Sequence, residues 1–284
     1  MILVVNADDA GVDPGRNRGI LRAAKEGLVR SASLLVGFGA AEAFVEQARR
    51  LESLGIGLHA NFTEGLPLVK GHRSLVGESG QFLGKMELMR RGAAGLVDKR
   101  EARRELEAQW GAMKRLGLEP THVDGHNHAH LCPGIAEAVL EAIPARTWVR
   151  LSTSRPLESA RSQDFELPPN PYESPEVLSA VLRKLARRAW RLGWDQFRTP
   201  KYFEGLSLPP GYRVEALMAL LAAMPLGDKD VVELMTHPGE VDASSVPFSS
   251  SNDRTREVEA LTDARVLSLV KERGLRLSSF GALP

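Results

Sequence analysis

The chain alternates between short apolar runs and longer amphipathic stretches. MILVVN (1–6), SASLLVGF (31–38) and IGLHANF (56–62) are apolar over four to eight residues and have the character of buried strands. Residues 16–26 and 40–53 place their apolar side chains at helical spacing. The N-terminal part of the chain is therefore predicted to be a series of strand–helix units.

The same alternation continues to the end of the sequence. Further strands are predicted at THVDGH (121–126), TWVRLS (147–152), DVVELMT (230–236) and LRLSS (275–279). Further helices are predicted at residues 97–116, from about 133, 176–192, 212–223 and 254–272. Residues 63–84, 152–175 and 238–253 are rich in turn-forming residues and are predicted to be long loops.

Strands that alternate with helices predict an α/β fold with mostly parallel strands. Seven or eight such units within 284 residues favour a single domain over residues 1–284, a closed (β/α) barrel. A doubly wound open sheet is the alternative. It is disfavoured because no GxGxxG motif follows the first strand.

Composition narrows the classes of partner. The formal net charge is +1, so nothing in the overall balance indicates a nucleic acid or an anionic membrane as a partner. No apolar run approaches the ~18 residues of a membrane span. The one cysteine, Cys132, excludes an intrachain disulfide, which fits a cytoplasmic protein.

Four polar motifs fall at the C-terminal ends of predicted strands. They are NADDAG (6–11), GLHANFTEG (57–65), THVDGHNHAH (121–130) and THPGE (236–240). In a parallel barrel these ends converge on one face, where active sites lie. The sequence therefore predicts that residues far apart in number form one site.

Two histidines and a carboxylate form a ligand set for a divalent metal that leaves room for water and substrate. Within the third motif His126, at the end of the strand, is the preferred ligand, and His128 and His130 lie in the loop that follows. Each motif also has a structural interpretation: Asp8 and Asp9 could organise the turn after the first strand.

At these motifs the chain resembles the YdjC-like carbohydrate deacetylases, in order and spacing over nearly its whole length. That family is similar in chemistry to the polysaccharide deacetylases, which use an Asp–His–His metal site in a distorted (β/α) barrel. The resemblance implies that Asp9, His59 and His126 hold one divalent metal ion, Mg²⁺ or Zn²⁺. It also implies that Asp8 is the general base and His237 the general acid.

The resemblance further implies a homodimer that removes the N-acetyl group from an amino sugar, with short N-acetylglucosamine oligosaccharides as substrates. The remaining candidates for the substrate cleft are Asp124, His128, His130 and Arg150, and the alternative role of Arg150 is to orient Asp8. The chain departs from the family pattern at Ala10, Gly125 and Asn127. These positions bear on the identity of the substrate more than on the metal.

Other functions fit the same sequence features. A metal-dependent sugar isomerase or phosphoesterase is one, and Glu64, Glu233 and Glu240 are the extra carboxylates that an isomerase would recruit. A non-catalytic sugar-binding barrel is another, and it would tolerate loss of Asp8. The run GVDPGRNRG (11–19) precedes a predicted helix and is a candidate anion site.

Overall fold

The computed structural model of the protein describes residues 1–153, 172, 174–224, 227, 230–243 and 245–283. The strands are β1 (Ile2–Ala10), β2 (Ser31–Leu34), β3 (Gly55–Ala60), β4 (His122–Gly125), β5 (Trp148–Val149), β6 (Tyr202–Glu204), β7 (Val231–Thr236) and β8 (Arg276–Leu277). The α-helices are α1 (Pro14–Glu26), α2 (Ala41–Ala48), α3 (Lys85–Ala93), α4 (Lys99–Arg115), α5 (Ile135–Ala142), α6 (Pro175–Arg191), α7 (Val214–Ala223), α8 (Asp253–Thr262) and α9 (Ala264–Glu272).

The named strands pair in parallel. This parallel pairing and the alternation of strands and helices confirm the predicted fold class. The fold is α/β and barrel-like, with mostly parallel strands. The chain divides into two compact units, Met1–Gly57 with Pro200–Pro284, and Leu58–Thr199. A single domain over residues 1–284 therefore stays a prediction.

The first unit is built around β1. This strand pairs with β2, β7 and β8, and β6 pairs with β7. All nine residues of β1 are buried, as expected for a strand with parallel neighbours on both sides. The apolar run at the N-terminus therefore forms the centre of this unit's core.

Helix α1 follows β1 after a short turn that is held by side-chain hydrogen bonds. Asp13 caps the helix by accepting a hydrogen bond from the backbone N–H of Arg16, and Pro14 occupies the first turn. The side chain of Asn17 accepts from the N–H of Gly11 at 2.8 Å. These bonds fix the direction in which the chain leaves β1.

The second unit holds β4 between β3 and β5. In the register of β3 and β4, His59 lies opposite Asp124. Helices α4 and α5 pack against each other in this unit. The pairing of the two strands thus sets a histidine and a carboxylate side by side.

Three elements differ from the sequence prediction. Helix α3 lies just beyond the predicted loop 63–84, and β6 lies in a stretch predicted to be irregular. The predicted helix 254–272 is two helices, because Asp263 has extended backbone angles and caps α9. Most of the predicted loop 152–175 lies outside the described residues.

Within the described ranges, no helix has both the length and the apolar character needed to cross a bilayer.

Candidate active site

Asp8 and Asp9 lie in an irregular part of β1. The register between β1 and β2 shifts between Ala7 and Ala10, so the two aspartates occupy a bulge. The backbone φ angle of Asp9 is +67°, a left-handed conformation that few residues adopt and that aspartate tolerates. Bulges of this kind redirect side chains, and they are common beside active sites.

The carboxylate of Asp8 is held by two buried neighbours. The side-chain amide of Asn6 donates a hydrogen bond to Asp8 Oδ1 at 2.8 Å and also contacts the hydroxyl of Ser33 at 3.0 Å. The hydroxyl of Ser33 lies 3.4 Å from the same Oδ1. Asp8 is therefore fixed through one oxygen, and sequence reasoning did not identify Asn6 or Ser33.

His237 follows directly after β7. The pairing of Ala7 with Thr236 brings the next residues of both strands together, and His237 Nε2 lies 4.0 Å from Asp8 Oδ2. Burial lowers the pKa of His237 to about 3, and the positive charge of Arg254 lowers it further while Asp8 opposes the shift. The imidazole is therefore neutral at neutral pH.

In the second unit, His59 is oriented by a buried carboxylate. Its Nδ1 lies 2.7 Å from Asp124 Oδ1, and Arg150 pairs with Asp124 Oδ2 at 2.8 Å. Burial by itself raises the pKa of Asp124, but the charge of Arg150 and the hydrogen bond of His59 together lower it well below its usual value. Asp124 is therefore an anion.

This arrangement fits a metal ligand. Histidines that bind metals usually engage their other ring nitrogen with a carboxylate, which fixes the tautomer and the orientation of the ring. With Nδ1 of His59 bound to Asp124, Nε2 is the ring atom suited to a metal. The ring of His126 lies beside that of His59, with 5.5 Å between centroids.

His128 and His130 lie in the 3₁₀ segment His126–Leu131. His128 has a φ of +57° and its Nδ1 lies 3.0 Å from the hydroxyl of Ser152. His130 is fully buried, and its Nε2 lies 2.9 Å from the carbonyl oxygen of Arg150. Burial lowers the pKa of His130 to about 4.

The predicted substrate contacts differ in their exposure. His128 retains 7% exposure, whereas Asp124, His130 and Arg150 are at most 1% exposed. The partners described for these three are protein groups. That these three residues contact substrate stays a prediction. The bonds that the structure shows for them hold the ring of His59 in place.

Glu240, one of the three glutamates that an isomerase would recruit, lies on the surface. Glu240 forms a surface ion pair with Arg18 at 3.0 Å, with both side chains more than a third exposed. This pairing gives no support to an isomerase centre.

The family follows from comparison with known proteins. A family model described as YdjC-like protein matches residues 2–272, and the chain belongs to that family. The resemblance inferred from the four motifs is confirmed.

Curated relatives match over nearly their whole length. A carbohydrate deacetylase of Homo sapiens is 37% identical over 100% of this chain and 91% of its own. A chitooligosaccharide deacetylase of Serratia marcescens is 32% identical over 98% of both chains. A crystal structure from Enterococcus faecalis V583, of a candidate cellobiose-phosphate cleavage protein, has a TM-score of 0.71 at 24% identity and covers 98% of this chain and 97% of its own. This last match supports the fold.

Proposed function

We propose that the protein is a metal-dependent hydrolase that removes the N-acetyl group from an amino sugar and releases acetate. The substrates are short N-acetylglucosamine oligosaccharides. The observation that carries the proposal is the approach of half-buried His237 to the buried carboxylate of Asp8, in a chain of the YdjC-like family. The names of the relatives, carbohydrate and chitooligosaccharide deacetylases, support the class of substrate.

In this proposal Asp9, His59 and His126 hold one divalent ion. All three side chains are buried and of types that ligate metals. The bond from His59 to Asp124 supports the assignment, because it orients the imidazole as in known metal sites. When bound, the ion polarises the amide carbonyl and increases the acidity of water, and Zn²⁺ and Mg²⁺ are the candidates.

Asp8 is the general base. Its Oδ2, the oxygen on the side of His237, receives the proton of the attacking water. The water oxygen bonds to the acetyl carbon, and the bond from that carbon to the sugar nitrogen breaks. His237 Nε2 lies 4.0 Å from Oδ2, which is longer than a hydrogen bond, so the two side chains approach by about 1 Å before the proton passes onward.

His237 is the general acid. Its low pKa means that it starts neutral and gains its proton during the reaction, from Asp8. It then passes this proton to the leaving amine, which could not depart as an anion. Asp8 and His237 thus return to their starting states after each turnover, and acetate and the free amino sugar leave.

Metal content and acetate release test this function together. The purified chain is analysed for bound metal and incubated with N-acetylglucosamine and its β-1,4-linked oligomers, with and without a chelator. About one metal ion per chain and chelator-sensitive release of acetate are expected. Bound metal without acetate from any of these sugars would refute the deacetylase.

The exchange of Asp8 for asparagine separates catalysis from metal binding. Asp8→Asn keeps the shape of the side chain and leaves the three proposed ligands in place, so metal binding is expected to persist. Turnover is expected to fall by about 10²-fold or more, because the base is lost. His126→Ala is the contrasting variant, with metal and activity lost together.

The proposal includes a homodimer and a cytoplasmic location. The homodimer rests on the family resemblance, and the cytoplasmic location rests on the single thiol of Cys132, which is buried and fits a reducing compartment. Light scattering coupled to size-exclusion chromatography measures the oligomer directly. A monomer at micromolar concentration would contradict the dimer and leave the reaction unaffected.

A further inference from the structure

Helix α1 carries a buried arginine that the reaction scheme above does not use. Arg16 is 1% exposed. Its Nε donates to the hydroxyl of Ser249 at 3.2 Å, and its first terminal nitrogen donates to the carbonyl of His237 at 2.7 Å. The second terminal nitrogen lies 3.6 Å from Asp9 Oδ2. One guanidinium thus reaches both a proposed metal ligand and the proposed acid.

The peptide groups of His237 are held on both sides. The backbone N–H of His237 donates to Glu257 Oε2 at 2.6 Å, while its carbonyl accepts from Arg16. Glu257 is 2% exposed and pairs with Arg254 at 3.4 Å. A buried guanidinium and a buried carboxyl group therefore fix the point from which the imidazole projects.

Helix α1 is seated directly on the loop that follows His237. A Cβ on Gly19 would lie 2.3 Å from the Cα of Gly239, so only glycine permits this approach. The N–H of Glu240 donates to the carbonyl of Gly15 at 2.9 Å. These contacts leave Arg16 little freedom to move, and they give GVDPGRNRG a structural role.

We propose that Arg16 is a positioning residue, which holds the carboxylate of Asp9 and the imidazole of His237 at a fixed separation. The inference rests on the proposed function, since it uses the roles assigned there to Asp9 and His237. Arginine suits the task because its planar fork spreads its nitrogens in three directions, which here make two hydrogen bonds and one ion pair. Lysine carries its donors on a single nitrogen atom, which cannot span the same three partners.

The test compares two substitutions of Arg16 with a matched control. Arg16→Lys keeps the charge, and Arg16→Met keeps most of the length. Arg22→Gln is the control, because Arg22 lies on the same helix and forms only a surface pair with Glu26 among its described contacts. With the N-acetylglucosamine trimer as substrate, kcat is expected to fall by about 10–100-fold in both Arg16 variants.

The division between kcat and KM separates positioning from substrate binding. KM is expected to stay close to that of the wild type, because Arg16 is only 1% exposed and so is closed to a bound sugar. The lysine variant is expected to restore stability without restoring kcat. Wild-type kcat in a folded Arg16→Met protein would overturn the assignment.

A second readout needs no activity. In metal-free protein with ¹⁵N-labelled histidine, the ring signals of His237 are identified by their loss in His237→Gln. They are expected to shift in Arg16→Met and to stay unchanged in Arg22→Gln. Unshifted signals in folded Arg16→Met would refute the positioning role. An inactive wild type would instead refute the proposed function, and the ring signals would still report on Arg16.

If both Arg16 variants fail to fold, Ser249→Ala decides the question. This change removes only the hydroxyl that orients Nε of Arg16, and Ser249 is 3% exposed. A lower kcat with an unchanged thermal midpoint is expected. Unchanged kcat in this variant would overturn the proposal.

Discussion

Single residues in the second unit are organised around one buried anion. Asp124 is paired with Arg150 and accepts from His59, so its negative charge is stabilised by a buried cation and a hydrogen bond. A buried charge is stable only with such partners, and loss of one partner leaves the other uncompensated. The orientation of His59 therefore depends on Asp124.

Removal of that charge is expected to weaken metal binding. Asp124→Asn keeps the shape but weakens the bond to His59 and leaves Arg150 without its anion. Metal affinity and turnover are each expected to fall by about 10–100-fold. Titration calorimetry and acetate release measure the two effects. Asp195→Asn, a substitution at an exposed position in the same unit, serves as the control. Equal metal affinity in the two variants would contradict the role of Asp124 in orienting His59.

Gly125, one of the positions where the sequence predicts a departure from the family pattern, has a steric explanation. A Cβ at this position would lie 2.7 Å from Nδ1 of His130 and 2.9 Å from its backbone nitrogen. The backbone of Gly125 is extended, with a φ of −157°, so the constraint comes from contact and not from strain. The space that a side chain would fill is occupied by His130.

Gly125→Ala is expected to destabilise the protein by about 1–3 kcal/mol through overpacking. Urea unfolding measures the free energy. Gly111→Ala is the matched control: a Cβ there would meet only the end of Arg115, at 3.4 Å, and alanine favours the helix. The control is expected to be at least as stable as the wild type. Equal stability of Gly125→Ala and the wild type would show that His130 moves aside freely.

At the scale of elements, helix α4 holds the loop that follows β3. Glu105 is fully buried and accepts from the backbone N–H groups of Leu68 and Val69, each at 3.0 Å. Its Oε2 also lies 3.2 Å from Nε2 of His72. One turn earlier on the helix, Glu101 accepts from the N–H of Arg73. The backbone N–H groups of this loop therefore donate to carboxylates of helix α4, where regular secondary structure would supply backbone carbonyls.

Glu105→Gln is expected to loosen that loop. The amide cannot accept all the bonds of the carboxylate, so the free energy of unfolding is expected to drop by about 2 kcal/mol. Hydrogen exchange is expected to accelerate at Leu68 and Val69. Glu107→Gln changes an exposed partner of Arg103 on the same helix and is expected to cost less than about 0.5 kcal/mol. Equal losses in the two variants would contradict the anchor.

At the scale of the whole molecule, stability is expected to depend on pH through buried histidines. The pKa of His130 falls from 6.5 to about 4 on burial. Between these values the unfolded chain binds more protons at this residue, so the free energy of unfolding rises with pH. The contribution is complete above pH 6.5 and is lost as the pH falls toward 4.

This dependence is testable by urea unfolding at several pH values. His130→Gln retains a donor for the carbonyl of Arg150 but has no charge to gain. The stability difference between wild type and variant is expected to shrink by at most about 3 kcal/mol between pH 7 and pH 4. A difference that is constant over this range would show that His130 is not held neutral.

The order of strands and helices could be predicted because burial imposes its period on the local sequence. The fully buried β1 comes from MILVVN and the residues after it, and the parallel class follows from helices between strands. The helices and strands that the sequence did not predict correctly have short or interrupted patterns of apolar residues. Helix 254–272 is divided by Asp263, whose capping bond competes with the apolar period.

The sequence by itself determined the parallel α/β class and the residue types at the strand ends, because strand pairing, helix packing and metal chemistry each require particular side chains. Only the tertiary structure decided which side chains hold those strand-end residues in place. Asp124 meets His59 across 65 positions, and Arg16 meets the carbonyl of His237 across 221. Such bonds leave no local period, since they depend on where strands and helices come together in space and not on spacing along the chain.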